Sequence, residues 1–335
     1  MGQRANLILV ENQQYTLYYD HWCANSLDQY LFWGPEKAVA FIKGHEKQGE
    51  EWWLDDVWCE GGAVIDLDKR LLLWFGGEDI SYEIPLRRVL LELMETNWEG
   101  WEIRWAYEGV ADLVDYVGYD RQKVIAVRDT KHIFDKKKVK DTFNCRGAEC
   151  GWDNIITIKS ANDEAEIFLT NITFSLTDFL MHGSALLDLR NRENALLRYS
   201  CWFDADSYLM SGIHIDTDTK QLMIWSCTEE VIDFDQLLAA WPGYTITYHR
   251  DCYEIQAELS GGRLCFNNPP RLELIQRIRK IVCRDTKDPL GTLKSLTEML
   301  ESQGRDLEVS PAVYIAETYP SDKASQEEWF DKYFG

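Results

Sequence analysis

GGAVIDLDKRLLLWFGG, residues 61–77, returns about 150 residues later as SGIHIDTDTKQLMIWS, residues 211–226. Gly62, Ile65, Asp66 and Asp68 match Gly212, Ile215, Asp216 and Asp218. Beyond the second aspartate the alignment takes a one-residue slip, which sets Lys69, Leu71 and Trp74 against Lys220, Leu222 and Trp225. In each stretch β-branched, aliphatic and aromatic residues flank a polar Asp-x-Asp segment, the pattern of two strands joined by a turn. Each stretch is therefore expected to be a β-hairpin.

The likeness continues on both sides. Trp98-Glu99-Gly100-Trp101 echoes Trp241-Pro242-Gly243-Tyr244, and Ile103 and Trp105 echo Ile246 and Tyr248. Upstream, LFWGPEKAVAFI (31–42) echoes FLMHGSALLDLR (179–190) around Gly34 and Gly183. Three separated matches in one order mark an internal duplication, against the simpler alternative that amphipathic elements look alike. After the first hairpin, Leu86, Val89, Leu90, Leu93 and Met94 recur as one helical face, opened by Pro85 and closed by Gly100. A further hairpin is expected at Asn6–Val10 with Tyr15–Tyr19, echoed by Ile155–Lys159 with Ala165–Leu169. Short helices are expected near Pro35 and near Ser184.

The expected fold class is α+β: two tandem related halves, each a mainly antiparallel sheet with helices on one side, in a pseudo-twofold arrangement. The first repeat covers 1–120, a linker with Lys136, Lys137, Lys138 and Lys140 covers 121–153, and the second repeat covers 154–268. Residues 269–335 form a helical extension, with helices expected in RLELIQRIRKIV (271–282) and PLGTLKSLTEMLES (289–302). The segment SDKASQEEWFDKYFG (321–335) has a short amphipathic end suited to docking.

A net charge of −22 repels phosphate backbones, attracts basic partners and also favours solubility. A nucleic-acid partner is not expected. The longest apolar runs, such as Leu71–Phe75 and Val89–Met94, are too short to span a bilayer, so no membrane partner is expected. MGQRANLILV lacks the form of a signal peptide, and Asn6 breaks the myristoylation pattern, so a cytoplasmic location is expected. Nine cysteines suggest free thiols. Cys145 and Cys150, with His132 upstream, lack the second ligand pair of a zinc site, and no metal or cofactor is expected. The phosphate-loop, nucleophile-elbow, zincin and dinucleotide fingerprints are absent from the sequence.

Four segments carry candidate chemistry. Asp66-x-Asp68 and Asp216-x-Asp218 are paired carboxylates, but their place at hairpin turns, and their repetition, favour local backbone bonding. In DHWCAN (20–25), continued strand geometry sets His21 and Cys23 on one side, where an imidazole beside a thiol is the ingredient of a nucleophile; a packed aromatic corner is the alternative. In EKQGEEWWLDDVWCEGG (46–62), carboxylates alternate with large aromatics. Glu50, Glu51, Trp52, Trp53, Asp55, Asp56, Trp58 and Glu60 are the candidate partner-binding residues, because aromatics anchor a basic surface and carboxylates steer it. The alternative is a loop whose tryptophans plug the sheet edge.

At MGQRANLILVENQQYTLYYDHWCAN, at LFWGPEKA and at VWCEGGAVIDLDKRLLLWFGGED, the chain resembles a family of bacterial hypothetical proteins that open in the same MGQRAN…YYDHWCAN manner. The resemblance covers mainly the first 110 residues and implies no activity, so no residue roles follow from it. In size, acidity and lack of catalytic motifs the chain is also similar in type to immunity proteins of bacterial polymorphic toxin systems. The expectation is an acidic cytosolic binding protein that occludes a basic partner, a toxin. The alternatives are a hydrolase or transferase using His21 and Cys23, and a small-ligand sensor with a Trp-lined pocket.

Overall fold

The computed structural model describes residues 3–126, 154–160, 164–170, 179–202, 209–227, 232–284, 297–305 and 323–334. Most of the linker expected at 121–153, with its lysines, Cys145 and Cys150, lies outside the described residues. Met1–Ile275 makes one compact unit and Gln276–Gly335 a second.

In the first unit the chain begins with β1 (Ala5–Glu11) and β2 (Gln14–Asp20). Asn12 and Gln13 join them, both at positive φ (54° and 61°), the conformation of the two-residue hairpin turn that matches strand twist. β3 (Glu46–Gln48), β4 (Gly61–Asp66), β5 (Leu71–Phe75) and β6 (Glu102–Trp105) complete a six-stranded sheet in the order β3-β2-β1-β4-β5-β6. β1 pairs with β4, and β5 with β6, in parallel; the other neighbours are antiparallel.

The second half repeats this plan. β7 (Asn154–Lys159), β8 (Glu166–Thr170), β10 (Ser211–Asp216), β11 (Gln221–Ser226) and β12 (Thr245–Tyr248) form a separate sheet in the order β12-β11-β10-β7-β8. β7 pairs with β10, and β11 with β12, in parallel, as in the first half. The place of β3 is taken by a single bridge, Ile167 to Leu196. β9 (Tyr199–Trp202) pairs instead with β13 (Leu264–Asn267), in parallel. The protein is therefore α+β, with two related mixed sheets.

The strand register removes the slip after Asp68. Gly62 pairs with Phe75, and Gly212 with Trp225, so Phe75 corresponds to Trp225 and Trp74 to Ile224. Both turns have one length. Arg70 and Lys220 hold the same left-handed corner, at φ 53° and 54°. Trp74 invited the slip because an aromatic is found one place further along in the second copy.

The helices expected near Pro35 and from Pro85 are α2 (Pro35–Lys43) and α4 (Ile84–Asn97); α1 (Leu27–Leu31) and α3 (Glu78–Tyr82) lie outside the expectation. The helix expected near Ser184 is α6 (Leu186–Leu189); α5 (Val110–Val117) precedes it in the chain, and α7 (Phe234–Ala240) stands at the place of α4. One contact locks this layer in each copy. Trp98 Nε1 donates to the Leu31 carbonyl at 2.8 Å, and Trp241 Nε1 to the Leu180 carbonyl at 2.8 Å. Trp98 stacks edge-on against Trp101, and Trp241 against Tyr244, each at 5.1 Å. Glycine is required beside this contact. A Cβ on Gly34 would lie 2.6 Å from the Asn97 carbonyl oxygen, and one on Gly183 would lie 2.1 Å from that of Ala240.

The opposite face of each sheet is covered by a helix outside the sequence expectation, so the helices are not confined to one side. α5 sets Leu113 against Gly62, and α8 (Glu254–Leu259) sets Gln256 against Gly212. The second sheet thus has two cores. Ile213, Ile215, Leu237 and Trp241 share one, and Ile155, Met223, Trp225 and Tyr253 share the other.

The halves differ in α4, which has 14 residues where α7 has 7. The added turns reach into the second half. Ile84 joins the core of Trp225 and Tyr253. Arg87, fully buried, donates to the Asp251 carboxylate at 3.1 Å and to the Cys227 carbonyl at 3.0 Å. Arg88 pairs with Glu254 and donates to the Asp251 carbonyl at 2.8 Å.

α9 (Arg271–Val282) matches the expected helix, and α10 (Lys323–Phe334) extends the expected amphipathic end. Within the second unit Arg279 pairs with Glu327 and Asp331 of α10, above buried Phe330. In the other expected helix, residues 297–302 are helical and 289–296 lie outside the described residues.

Gly34→Ala and Gly183→Ala should each lower stability by about 2 kcal/mol or more, because both meet a backbone oxygen at positive φ. Urea-unfolding midpoints test this, with Gly118→Ala, which meets no atom within 4 Å, reporting the cost of positive φ alone.

Candidate functional site

Residues 50–60 run between two cavities at the start of the first sheet. The larger, about 540 Å³, is lined by Arg4, Tyr19, Glu46, Gln48, Trp52, Leu54 and Trp58. The smaller, about 290 Å³, takes Asp56, Cys59 and Glu60 from the same segment and adds Glu78 and Glu108. Trp52 and Trp58 are 62% and 52% exposed, and Trp22 is 60% exposed. Gln3 donates its N–H to the His21 carbonyl and accepts from Ala24 N–H, while Arg4 lies 4.7 Å over the Trp58 ring. Trp22 and Trp58 therefore flank the chain as it enters β1.

The eight residues predicted to bind a partner divide by role. Glu50, Glu51, Trp52 and Trp58 face solvent. Trp53 packs inward, 5.6 Å from the Tyr119 ring and 6.2 Å from Tyr15. Asp55 Oδ1 accepts the N–H groups of Val57 and Trp58, both at 3.1 Å, which folds the loop rather than presenting charge. Asp56 Oδ1 accepts Ala126 N–H at 2.8 Å, and Glu60 Oε2 accepts Arg4 N–H at 3.0 Å. Arg4 and Tyr19 join the lining without a signal in the segment itself, since strand pairing brings β1 and β2 beside β3.

The Asp-x-Asp pairs are turn residues. Asp66 Oδ1 accepts the N–H groups of Asp68 and Lys69 at 2.9 and 2.8 Å, and Asp216 Oδ1 those of Asp218 and Thr219, both at 2.9 Å. Asp68 also accepts Asn12 N–H at 3.0 Å and Gln13 N–H at 2.7 Å, which ties the first hairpin to the second. No group of three or more metal-ligating side chains assembles among the described residues.

Strand geometry ends at Asp20, so the His21–Cys23 alternation does not hold. The chain turns there, and Cys23 starts a one-turn helix with its thiol buried. Burial, followed by the nearby Asp20 carboxylate, pushes that thiol well above its ordinary pKa. His21 Nδ1 instead meets the Tyr19 hydroxyl at 2.7 Å. A buried thiol held protonated is a poor nucleophile.

A second polar constellation lies inside the second half. Gln256 Nε2 donates to the Ile213 and Ile155 carbonyls at 2.8 and 3.0 Å and to Thr157 Oγ1 at 3.2 Å, and Gln256 Oε1 accepts from Trp225 Nε1 at 2.7 Å. Thr157 Oγ1 also meets His214 Nδ1 at 2.8 Å. The strand registers put Ile8, Val64 and Phe75 at the corresponding places of the first half, with Leu113 facing the matching glycine. One copy has an apolar interior where the other has Thr157, His214, Trp225 and Gln256. Burial lowers the His214 pKa to about 4, helped by Lys159 and opposed by Asp216.

Comparison with protein-family models, with curated proteins and with solved structures finds no match for this chain.

His214 binds a proton more readily unfolded than folded, so stability should be full above pH 6.5 and fall as the pH drops towards about 4. The loss should reach at most about 3 kcal/mol, and His214→Val, which installs the first half's residue, should flatten that slope in pH-dependent urea unfolding. An iodoacetamide probe at neutral pH should label exposed Cys265 faster than Cys23; faster labelling of Cys23 would restore it as a nucleophile.

Proposed function

We propose that the protein is an acidic binding module of the cytosol whose partner is a basic protein, most concretely an immunity protein that occludes the active site of a toxin. The observation that carries this reading is the exposure of Trp22, Trp52 and Trp58 on one end of the first sheet, in a chain of net charge −22. Large aromatics left in water are the residues that dominate binding energy when a partner covers them. Exposed Glu50 and Glu51 beside them favour a cationic partner and speed its approach. Such a field disfavours a phosphate backbone. Among the described residues no helix is long and apolar enough to cross a membrane.

Among its described residues the second half has no exposed tryptophan, has one bridge at the place of β3, and carries its polar cluster of Thr157, His214 and Gln256 in the interior. A specialised exterior on one copy suits a scaffold copy beside a working copy. A second reading, a small-ligand sensor, draws on the Trp52–Trp58 cavity of about 540 Å³. A thermal shift with a metabolite panel, at ligand levels well above Kd, separates it from the first.

Affinity capture from the native host, followed by binding measurements on the purified pair, tests the leading reading. Glu50→Lys with Glu51→Lys should weaken binding by about tenfold at low salt and less at high salt. Trp52→Ala with Trp58→Ala should weaken it by about tenfold or more at any salt. Retention of no basic partner, or an unchanged Kd in both variants, contradicts the proposal.

A further inference from the structure

We propose that the cavity between Trp52 and Trp58 is a socket for an arginine side chain of the partner, an inference that rests on this face being a surface for a basic protein. The two indoles are not equivalent. Trp58 already carries a guanidinium, that of Arg4, 4.7 Å from its ring centroid. Arg4 is fixed there through its backbone, which donates to Glu60 Oε2 at 3.0 Å and accepts from Glu60 N–H at 2.9 Å. The chain thus seats one guanidinium on one wall of its own cavity. Trp52 lines the same cavity, is 62% exposed, and has no ring, cation or hydrogen-bond partner for its indole among the described residues.

The remaining lining suits a second guanidinium. An aromatic face attracts a cation through its quadrupole, and arginine stacks on it while keeping its N–H fork for acceptors. The Glu46 carboxylate and the Gln48 side-chain carbonyl are acceptors in this cavity, and Tyr19 and Leu54 offer apolar surface to the aliphatic stem. Exposed Glu50 and Glu51 lie on the same segment and add the field that draws such a side chain in. A lysine ammonium, compact and strongly hydrated, gains less from this combination.

The test uses the full chain labelled with 5-fluorotryptophan, with the Trp52 and Trp58 resonances assigned from Trp52→Phe and Trp58→Phe. The probes are three peptides, acetyl-Gly-X-Gly-amide, with X arginine, lysine or norleucine. The arginine peptide should shift both resonances with a Kd about fivefold below that of the lysine peptide, and the norleucine peptide should leave them in place. Glu46→Gln should weaken the arginine peptide by about threefold. Arg4→Ala, which frees the Trp58 face, should tighten it by about threefold, and more than Lys47→Ala, which removes a charge outside the cavity lining. Equal shifts with norleucine, or an Arg4→Ala effect no larger than that of Lys47→Ala, overturn the socket. A basic partner that binds while the arginine peptide does not removes the socket and leaves the surface reading standing. An arginine response in a chain that retains no basic partner does the reverse.

Discussion

Arg87 is a guanidinium without exposure to water, and the carboxylate it donates to, Asp251, lies 164 residues along the chain. A buried charge is costly unless it is paired and hydrogen-bonded, and Arg87 is paired through both terminal nitrogens while its Nε has no acceptor among the described residues. Here the first half supplies the Ser81 carbonyl at 3.0 Å and the Trp105 ring face at 4.7 Å, and the second half supplies Asp251 and the Cys227 carbonyl. Neither half alone can hold Arg87 in that state. The longer α4 that carries it joins two similar sheets in one compact unit.

The two copies divide the remaining work differently. The devices that build each copy are shared: the indole-to-carbonyl bond, the glycine beside it, the aspartate that closes the hairpin. Among the described residues the second copy adds a buried polar cluster, and the first adds the exposed Trp22, Trp52 and Trp58. A satisfied polar interior makes packing unique but offers no surface. Exposed tryptophans offer surface and add nothing to the core. On the proposed function, the second copy would be the support and the first would present the exposed Trp22, Trp52 and Trp58 to the partner.

Much of the scaffold was legible in the sequence because its constraints fall on residues with few substitutes. Gly34 and Gly183, Trp98 and Trp241, and Asp66 and Asp216 align because each pair performs one physical task. The helices α5 and α8 were not legible, since eight and six residues are too few for a helical period to stand out. Nothing in the apolar spacing from Leu86 to Met94 marks Arg87, and only a partner in the other half makes it interior. His214 and Gln256 are 42 residues apart in sequence and meet only through Thr157 on a third segment. In the candidate surface, residue type separated aromatics from carboxylates but not presented carboxylates from those bound to backbone. Asp55 and Glu50 read alike until Asp55 is seen closing its own turn.

On the proposed function, the partner would cover the 46–60 face of the first copy and leave the second copy open. Hydrogen–deuterium exchange on the purified complex, compared with the free chain, tests it most directly. New protection at Glu46–Glu60 and at the start of β1, with little change at β9 to β12, is the predicted result. Protection centred on the second sheet, with residues 46–60 exchanging as in the free chain, would contradict it.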